Sequence, residues 1–244
     1  MAKRLRVRDK ILLGAAILGD LYFEIAEPLS AQLGKIKGVL PSDYKSTNFA
    51  VAVSRMLRTG SIEKVIKNGE PYLRLTGVGK KALVRDFPIF AFKRKKWNGF
   101  WRMVFYDIPE KDKKTRTWLQ LKLKSLGFGA LQESVYISPF DVAEDVREFI
   151  LAQNLGDFVF VAVSKRLFAG NEKALAEKVW NLEKLNEEYL NLYEKIKEGR
   201  STSEIFSEYE EILRLDPCLP AELLPDNWLG DKVYKEIRRL IISS

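Results

Sequence analysis

Apolar side chains recur at helical spacing through residues 8–59. The spacing predicts helices over residues 8–27, about 29–36 and about 44–59, and Pro28 ends the first of them. The third helix has one apolar face, formed by Phe49, Val53, Met56 and Leu57. Its opposite face carries mostly polar side chains, so we expect that face to be exposed.

A hairpin is the next predicted element. Residues 62–66 and 72–75 are short segments of the kind that form β-strands, and Asn68-Gly69 between them favours a tight turn. A further helix is expected over residues 77–84. Helices followed directly by a hairpin indicate a winged helix-turn-helix domain, in which residues 44–59 form the recognition helix.

Residues 100–170 alternate between strand-like and helical patterns. In chain order, we expect a strand at FWRMVFYDI, a helix over about 110–126, strands at FGALQ and SVYISP, a helix over 141–151 and a strand at FVFVAVS. The order β-α-β-β-α-β is that of a ferredoxin-like domain. Its strands are apolar enough to be covered on one face and to pair at an edge with a second copy.

Helical spacing returns after residue 170. Charged helices with an apolar side are predicted over about 172–199, 203–215 and 231–242, and Pro217, Pro220 and Pro225 interrupt the pattern between the last two. We therefore expect an α+β protein of three domains. They are an N-terminal winged helix-turn-helix domain over residues 1–90, a central ferredoxin-like βαββαβ domain over 91–170 and a C-terminal helical domain over 171–244.

Charge is unevenly distributed along the chain. The net charge is +8, yet residues 1–96 carry 20 Lys or Arg against 8 Asp or Glu, a balance of +12. Residues 171–244 carry 11 Lys or Arg against 16 Asp or Glu, a balance of −5. A basic N-terminal module on a neutral or acidic remainder indicates contact with a polyanion. The basic run at residues 93–96, in a predicted linker over 86–99, suits either phosphate contact or a solvated connection.

Composition narrows the chemistry that the chain can perform. It has no histidine and a single cysteine, Cys218, which excludes Ser-His-Asp and Cys-His catalysis, histidine-ligated metals and an intramolecular disulfide. The N-terminal apolar run contains Asp20 and Glu24, and it is too short and too charged for a secretory signal or a membrane span. We expect a cytoplasmic protein without a membrane segment or a cofactor.

The predicted recognition helix and hairpin supply candidates for contact with double-stranded DNA. They are Lys45, Thr47, Asn48, Val51, Ser54, Arg55 and Arg58 on the helix, and Lys64, Lys67 and Arg74 on the hairpin. Arginine and asparagine suit base edges, hydroxyls and lysines suit phosphates, and valine suits a thymine methyl group. We assign base contact to Asn48 and Arg55. Phosphate contact is assigned to Lys45, Arg58, Lys64 and Lys67.

Two features of the remaining chain have alternative interpretations. Asp107 follows the first strand of the predicted ferredoxin-like domain, where a carboxylate in a dimer could bind a divalent metal together with its symmetry mate. It also precedes a helix, so its carboxylate could instead accept backbone N–H groups at that helix start. We expect this structural role and no enzymatic activity, with a metal-dependent endonuclease as the alternative. The aromatic residues after position 171 belong either to the core or to the lining of an effector pocket.

Several motifs give the chain a resemblance to a known family. They are W-x-G-x-W-R from Trp97, D-I-P-E from Asp107, L-G-F-G from Leu126, Q-x-S-V-x-I-S-P from Gln132 and the C-terminal segment DPCLPAELLPDNWLG. Together with FAVAVSRMLRTGSIEK and YLRLTGVGKKAL, these stretches resemble the PaaX family, regulators of phenylacetic acid degradation operons. The resemblance covers nearly the whole chain.

The resemblance implies a dimeric transcriptional repressor with a winged-helix reader, a ferredoxin-like middle domain and a helical C-terminal domain. Some members of the family release DNA on binding an aryl-acyl-coenzyme A thioester, so it also implies a small, acyl-coenzyme A-like effector. The middle domain is similar to the small CRISPR-associated endonuclease, in which the aspartate matching Asp107 is implicated in metal-dependent cleavage.

Overall fold

The computed structural model describes residues 7–22, 29–40, 44–67, 69–86, 96–167 and 169–243. Over these residues the chain is α+β, with ten α-helices and two antiparallel sheets. The chain forms two compact units. The first contains the described residues up to 86, together with 186–215 and 229–243; the second contains those from 96 to 185, together with 216–228. Asn68 of the predicted turn and residues 87–95 of the predicted linker lie outside the described residues.

The N-terminal part of the first unit consists of four helices and a hairpin. Its elements are α1 (Val7–Tyr22), α2 (Leu29–Gly38), α3 (Ser46–Arg58), β1 (Ile62–Lys67), β2 (Glu70–Leu75) and α4 (Gly77–Asp86). The two strands pair antiparallel, with Ile62 opposite Leu75 and Lys67 opposite Glu70. Helix α1 packs against the other three helices and β2, so its buried apolar side chains form the centre of this part.

Contacts around Gly60 and Gly79 fix the hairpin next to the end of α3. Gly60 has a φ of 67°, a left-handed conformation that glycine adopts at low cost, and it follows the helix directly. Gly79 lies so close to Ser61 that a Cβ would stand 2.0 Å from the Ser61 carbonyl oxygen. The Thr76 hydroxyl donates to the Gly60 carbonyl oxygen and accepts from the Gly79 N–H at 3.1 Å. These contacts leave little freedom between α3 and the hairpin.

The second unit contains a four-stranded sheet. Its elements are β3 (Phe100–Tyr106), a 3₁₀ turn (Glu110–Asp112), α5 (Lys113–Ser125), β4 (Gly129–Gln132), β5 (Val135–Ser138), α6 (Ala143–Ala152), β6 (Val159–Lys165), α7 (Glu172–Trp180) and a second 3₁₀ turn (Ala221–Leu223). Neighbouring strands are antiparallel in the order β4-β5-β3-β6. From β3 to β6, strands and helices follow one another in the order that the apolar pattern predicts.

The two faces of this sheet are covered unequally. Side chains alternate along a strand, so Val104 and Tyr106 lie on one face and Trp101 and Phe105 on the other. The first face belongs to a buried cluster with side chains of α5 and α6. On the second face, Trp101 is only 1% exposed and stacks on Trp180 of α7 with ring centroids 6.4 Å apart. Phe105 on the same face is 41% exposed, so α7 covers one end of this face and leaves the other accessible.

The C-terminal helices complete the first unit. Helix α8 (Leu182–Lys197) is followed by α9 (Thr202–Leu215) and α10 (Gly230–Ser243). Asn186 on α8 accepts a hydrogen bond at 2.8 Å from the backbone N–H of Leu229, directly before α10. Helix α10 packs against α9 and also against α1 and α2. N-terminal and C-terminal helices therefore share one unit. None of the described helices is both long enough and apolar enough to cross a membrane.

Candidate nucleic-acid interface

Helix α3 has a buried face and an exposed face. Phe49, Val53 and Met56 are buried, at the helical spacing of four and three residues, and α3 packs against α1 and β1. All predicted DNA-contact residues on or directly before the helix are exposed: Lys45, Thr47, Asn48, Val51, Ser54, Arg55 and Arg58. Packing therefore fixes the orientation of α3 while its polar face remains available to a partner.

A hydrogen bond joins the start of α3 to α2. The Nζ atom of Lys37, in the last turn of α2, donates a hydrogen bond to the Ser46 hydroxyl oxygen at 2.6 Å. Ser46 is the first residue of α3, so this bond ties the two helices at the turn between them. Sequence analysis did not assign Lys37 a role, because the contact depends on how α2 and α3 pack and no local pattern indicates it.

The cations on and directly before α3 are not neutralised by any residue that the structure describes. Lys45, Arg55 and Arg58 make no ion pair with any other residue that the structure describes. Arg55 and Arg58 both lie in the last turn of the helix, on the side that faces solvent. Unpaired guanidinium groups on an exposed helix face are suited to bidentate contact with guanine or with phosphate.

The hairpin contributes fewer available cations than the sequence suggests. Lys64 is exposed, as predicted. Arg74 lies opposite Glu63 in the strand register and is bound to it, with Nε and Nη2 2.9 and 2.8 Å from the same carboxylate oxygen. The charge of Arg74 is therefore partly compensated by Glu63, and Arg74 is less available for contact with phosphate. Lys67 ends β1, and its side chain lies outside the described part of the chain.

The structure places Asp107 directly after β3, with its side chain exposed. The expected cap is not seen, because the carboxylate makes no hydrogen bond or ion pair with a described residue. The turn that follows is ordered by other contacts, among them a 2.8 Å hydrogen bond from Arg116 Nη2 to the Ile108 carbonyl oxygen. The described residues contain no group of three or more His, Cys, Asp or Glu side chains that could bind a metal ion. Neither interpretation of Asp107 therefore gains a supporting contact.

Two stacked tyrosines lie in the core of the second unit, and one of them, Tyr106, directly precedes Asp107. Tyr106 donates its hydroxyl proton to the Glu133 carbonyl oxygen at 2.7 Å and accepts from Gln120 Nε2 at 2.8 Å. Its ring stacks on that of Tyr136, with centroids 6.2 Å apart. Burial raises the pKa of the Tyr136 phenol, and the neighbouring Tyr106 raises it further. Tyr136 therefore remains a neutral phenol near pH 7 and does not serve as a base there.

The exposed end of the sheet carries a pair of aromatic rings. Phe105 on β3 and Phe160 on β6 are opposite each other in the register and stack with centroids 5.9 Å apart. They are 41% and 50% exposed. Strand β6 is at the edge of the sheet. An apolar surface beside an unpaired strand edge is typical of an interaction site.

Together, these features define an α+β protein with a basic, exposed helix face fixed beside a hairpin. Comparison with known families then identifies its relatives. Residues 94–176 match the PaaX protein central Cas2-like domain, and residues 180–242 match the PaaX-like protein C-terminal domain. The two matches cover more than half of the chain. The chain belongs to the PaaX family.

Two individual proteins are similar over most of the chain. The transcriptional repressor PaaX of Escherichia coli (strain K12) is 24% identical over an alignment of 250 positions, which covers 89% of this chain and 76% of that protein. Among solved structures, the uncharacterized protein Rv0674 from Mycobacterium tuberculosis has a TM-score of 0.60 at 22% identity and covers 96% of this chain and 92% of its own. The similarity to Rv0674 shows a shared fold and nothing about function. Membership of the family and similarity to a repressor together support the conclusion that this chain is a transcriptional regulator.

Proposed function

We propose that this chain is a PaaX-like transcriptional repressor that binds operator DNA as a dimer through the exposed face of α3. The observation that carries the proposal is the pairing of a buried apolar face with an exposed face that presents Asn48, Arg55 and Arg58. An α-helix fits the major groove of B-DNA, where arginine and asparagine distinguish base pairs by bidentate hydrogen bonds. The +12 balance of residues 1–96 supplies attraction to phosphate that is independent of sequence.

The proposal includes a domain arrangement. Residues 1–90 are the winged helix-turn-helix reader, supported by the hydrogen bond between Lys37 of α2 and Ser46 of α3 and by the hairpin directly after α3. Residues 91–170 are a ferredoxin-like domain, supported by the βαββαβ order and the strand order β4-β5-β3-β6. Residues 171–244 are the helical domain. The reader would act in the cytoplasm, where bacterial operators are accessible.

We assign the dimer contact to the exposed end of the sheet, with a second copy of this chain as its occupant. Phe105 and Phe160 expose stacked rings next to Asp107, and β6 offers its outer edge. Two antiparallel edges related by a two-fold axis are self-complementary, so one patch serves both subunits. Two readers related by that axis would then meet two half-sites of a near-palindromic operator.

The proposal also includes a small effector of the acyl-coenzyme A type that releases the DNA. Its physical support is the shared first unit, in which α10 packs directly against α1 and α2. A ligand on the C-terminal helices would therefore act on the unit that contains α3. An endonuclease centred on Asp107 has no comparable support, since no further carboxylate among the described residues joins it in a metal-binding group.

Selection of bound duplexes from a random DNA pool tests the proposal. We expect enrichment of a near-palindromic motif whose half-sites lie one or more helical turns apart, since a dimer presents two recognition helices. Affinity measured by fluorescence anisotropy should fall steeply as salt rises, because phosphate contacts release counterions. A pool without an enriched motif, or binding that is insensitive to salt, would exclude this function.

A further inference from the structure

Helices α5 and α6 of the second unit are joined at their surface by an aromatic pair. The ring of Trp118 on α5 meets the ring of Phe149 on α6 edge-on, with centroids 5.3 Å apart. The Nζ atom of Lys122 lies 5.8 Å from the centroid of the same Phe149 ring, within cation–π range. Phe149 also packs against the buried core, so these contacts fix the two helices beside each other. We call this pair of rings, with the exposed side chains beside it, the α5–α6 surface.

The α5–α6 surface has an exposed apolar centre. Trp118 is 50% exposed, and Leu121, three residues farther along the same face of α5, is 60% exposed. Phe149 is half-buried beside them. Apolar side chains that lie together in water gain free energy when a partner covers them, and tryptophan is among the residues that dominate protein–protein contacts. The centre is therefore suited to burial by a partner.

The two helices carry opposite charge. Helix α5 has five basic side chains and no acidic one: Lys113, Lys114, Arg116, Lys122 and Lys124. Helix α6 has three acidic side chains and one basic one: Glu144, Asp145, Glu148 and Arg147. Glu144 and Arg147 are paired with each other at 2.8 Å, which leaves Asp145 and Glu148 outside that pair.

Four charged side chains beside the apolar centre form no ion pair within the described part of the chain. They are Lys114 and Lys122 on α5, and Asp145 and Glu148 on α6. The two lysines are four residues before and after Trp118, and Asp145 is four residues before Phe149, so each shares a helix face with a ring. Lys122 is half-buried and the other three are exposed. Both signs of charge are thus available at one apolar surface.

We propose that the α5–α6 surface is a contact between two copies of this chain, separate from the exposed end of the sheet. A two-fold axis that runs between α5 and α6, in the plane of contact, places α5 of one copy on α6 of the other and the reverse. The basic helix then meets the acidic helix twice, and the Trp118 and Phe149 rings of both copies meet near the axis. The surface is complementary to itself, as an isologous contact requires.

A second copy fits this surface better than a polyanion does. Nucleic acid or anionic lipid would be attracted by Lys114 and Lys122 but repelled by Asp145 and Glu148 beside them. A wholly acidic protein would meet the same repulsion at α6. The partner must therefore present both signs of charge around an apolar centre, and the chain itself does so.

The contact is compatible with the dimer assigned to the sheet. Helices α5 and α6 cover the first face of the sheet, whereas Phe105 and Phe160 are exposed on the second. Two different two-fold contacts on one subunit join dimers into larger assemblies, such as tetramers of D2 symmetry. Only three large apolar side chains form the centre, so we expect a weak association that depends on concentration. The contact does not rest on the proposed function.

Sedimentation equilibrium of the full chain over a wide range of protein concentration tests the contact. We expect the mean mass of the parent to rise about twofold with concentration, since an isologous contact joins two equal bodies. Lys114→Glu with Lys122→Glu makes the surface acidic on both helices and should weaken the association about tenfold or more, because like charges then face each other. Asp145→Lys with Glu148→Lys makes it basic on both helices and should have the same effect.

A mixture of the two reversed variants supplies a rescue. An acidic surface then meets a basic one, so the equimolar mixture should associate again although neither variant does so alone. This recovery distinguishes loss of the contact from loss of the fold, which circular dichroism of each variant also checks. Lys113→Glu with Lys124→Glu is the matched control. It changes the net charge of α5 by the same amount on the side of the helix away from Phe149, and it should associate as the parent does.

Three results would overturn the contact. They are a parent mass that does not rise with concentration, a rise that both reversed variants retain, and a control that loses association as they do. If the parent mass does not rise, yet Lys114→Glu with Lys122→Glu abolishes binding to single-stranded DNA or anionic vesicles, the occupant is a polyanion and the proposal is wrong. Sedimentation involves no DNA, so failure of this contact and failure of the proposed function are separate outcomes.

Discussion

Lys10 on α1 and Glu210 on α9 form an ion pair of 3.1 Å in which both side chains are nearly inaccessible, at 11% and 4% exposure. Lys10 Nζ also donates a hydrogen bond to the Ser207 hydroxyl oxygen at 3.0 Å. The pair joins residues 200 positions apart in the chain, both in the first unit. The first helix of the proposed reader is thus connected by a buried charge pair to the C-terminal helices.

Removing one member of this pair should be costly. We expect Lys10→Met to lower the free energy of unfolding by about 3–5 kcal/mol, because a carboxylate is then left buried without its ammonium partner. The double variant Lys10→Met with Glu210→Leu should recover much of that loss, since the uncompensated charge is gone. Urea unfolding followed by circular dichroism measures both.

The exposed pair between Lys195 and Glu208 is the matched control. Its atoms are 2.8 Å apart, but the side chains are 40% and 34% exposed, so Lys195→Ala should change stability little. If Lys10→Met were as stable as the parent, the buried pair would not connect the two parts of the unit in the way described.

Lys45 should contribute affinity without sequence preference. It is exposed directly before α3 and has no ion-pair partner among the described residues. If it meets a phosphate, Lys45→Ala should weaken binding to operator and random DNA alike and reduce the slope of log K against log salt by about one. Anisotropy titrations at several salt concentrations give that slope. A loss confined to the operator would instead indicate a base contact.

The aromatic pair on the sheet should control dimerisation. Phe160→Ser replaces a half-exposed ring with a small polar group, so a dimer that buries it should dissociate while the monomer remains folded. Size-exclusion chromatography with light scattering reports the mass directly. Leu151→Ser, at an exposed apolar position on α6, is the control and should leave the mass unchanged. A dimer that survives Phe160→Ser would place the contact elsewhere.

Asp107 should be dispensable for DNA recognition. Its carboxylate has no hydrogen-bond partner among the described residues, so Asp107→Asn should bind the operator as the parent does. Incubation with labelled DNA or RNA and magnesium or manganese should give no cleavage with either protein. Cleavage by the parent that Asp107→Asn abolishes would establish the endonuclease instead.

Much of the fold follows from local patterns in the sequence. The spacing of Phe49, Val53, Met56 and Leu57 predicted the apolar face of α3. The structure buries the first three and leaves Leu57 half-buried. Alternating apolar runs and turn residues predicted β1, β2 and the four strands of the second unit to within a few residues. These elements are set by short-range periodicity and turn chemistry, which can be recognised without tertiary information.

Other features depend on contacts between distant residues and were not predicted. The pairing of Lys10 with Glu210 and the approach of Lys232 to Tyr193 both require knowledge of how α1, α8, α9 and α10 pack. The expected cap at Asp107 has no hydrogen bond to a described residue, because chain position alone does not set the orientation of a side chain. Tyr193 and Lys197 are four residues apart on one helix, so their proximity can be recognised from the sequence alone.

The central claim is that the exposed face of α3 reads DNA sequence, and Arg55 tests it most directly. The measurement compares operator and random DNA affinities for the parent and for Arg55→Ala, with Lys80→Ala, an exposed cation of α4, as the control. We predict that Arg55→Ala loses about 1–3 kcal/mol of preference for the operator, as expected for one bidentate base contact. An Arg55→Ala protein that keeps the full preference of the parent would contradict the account.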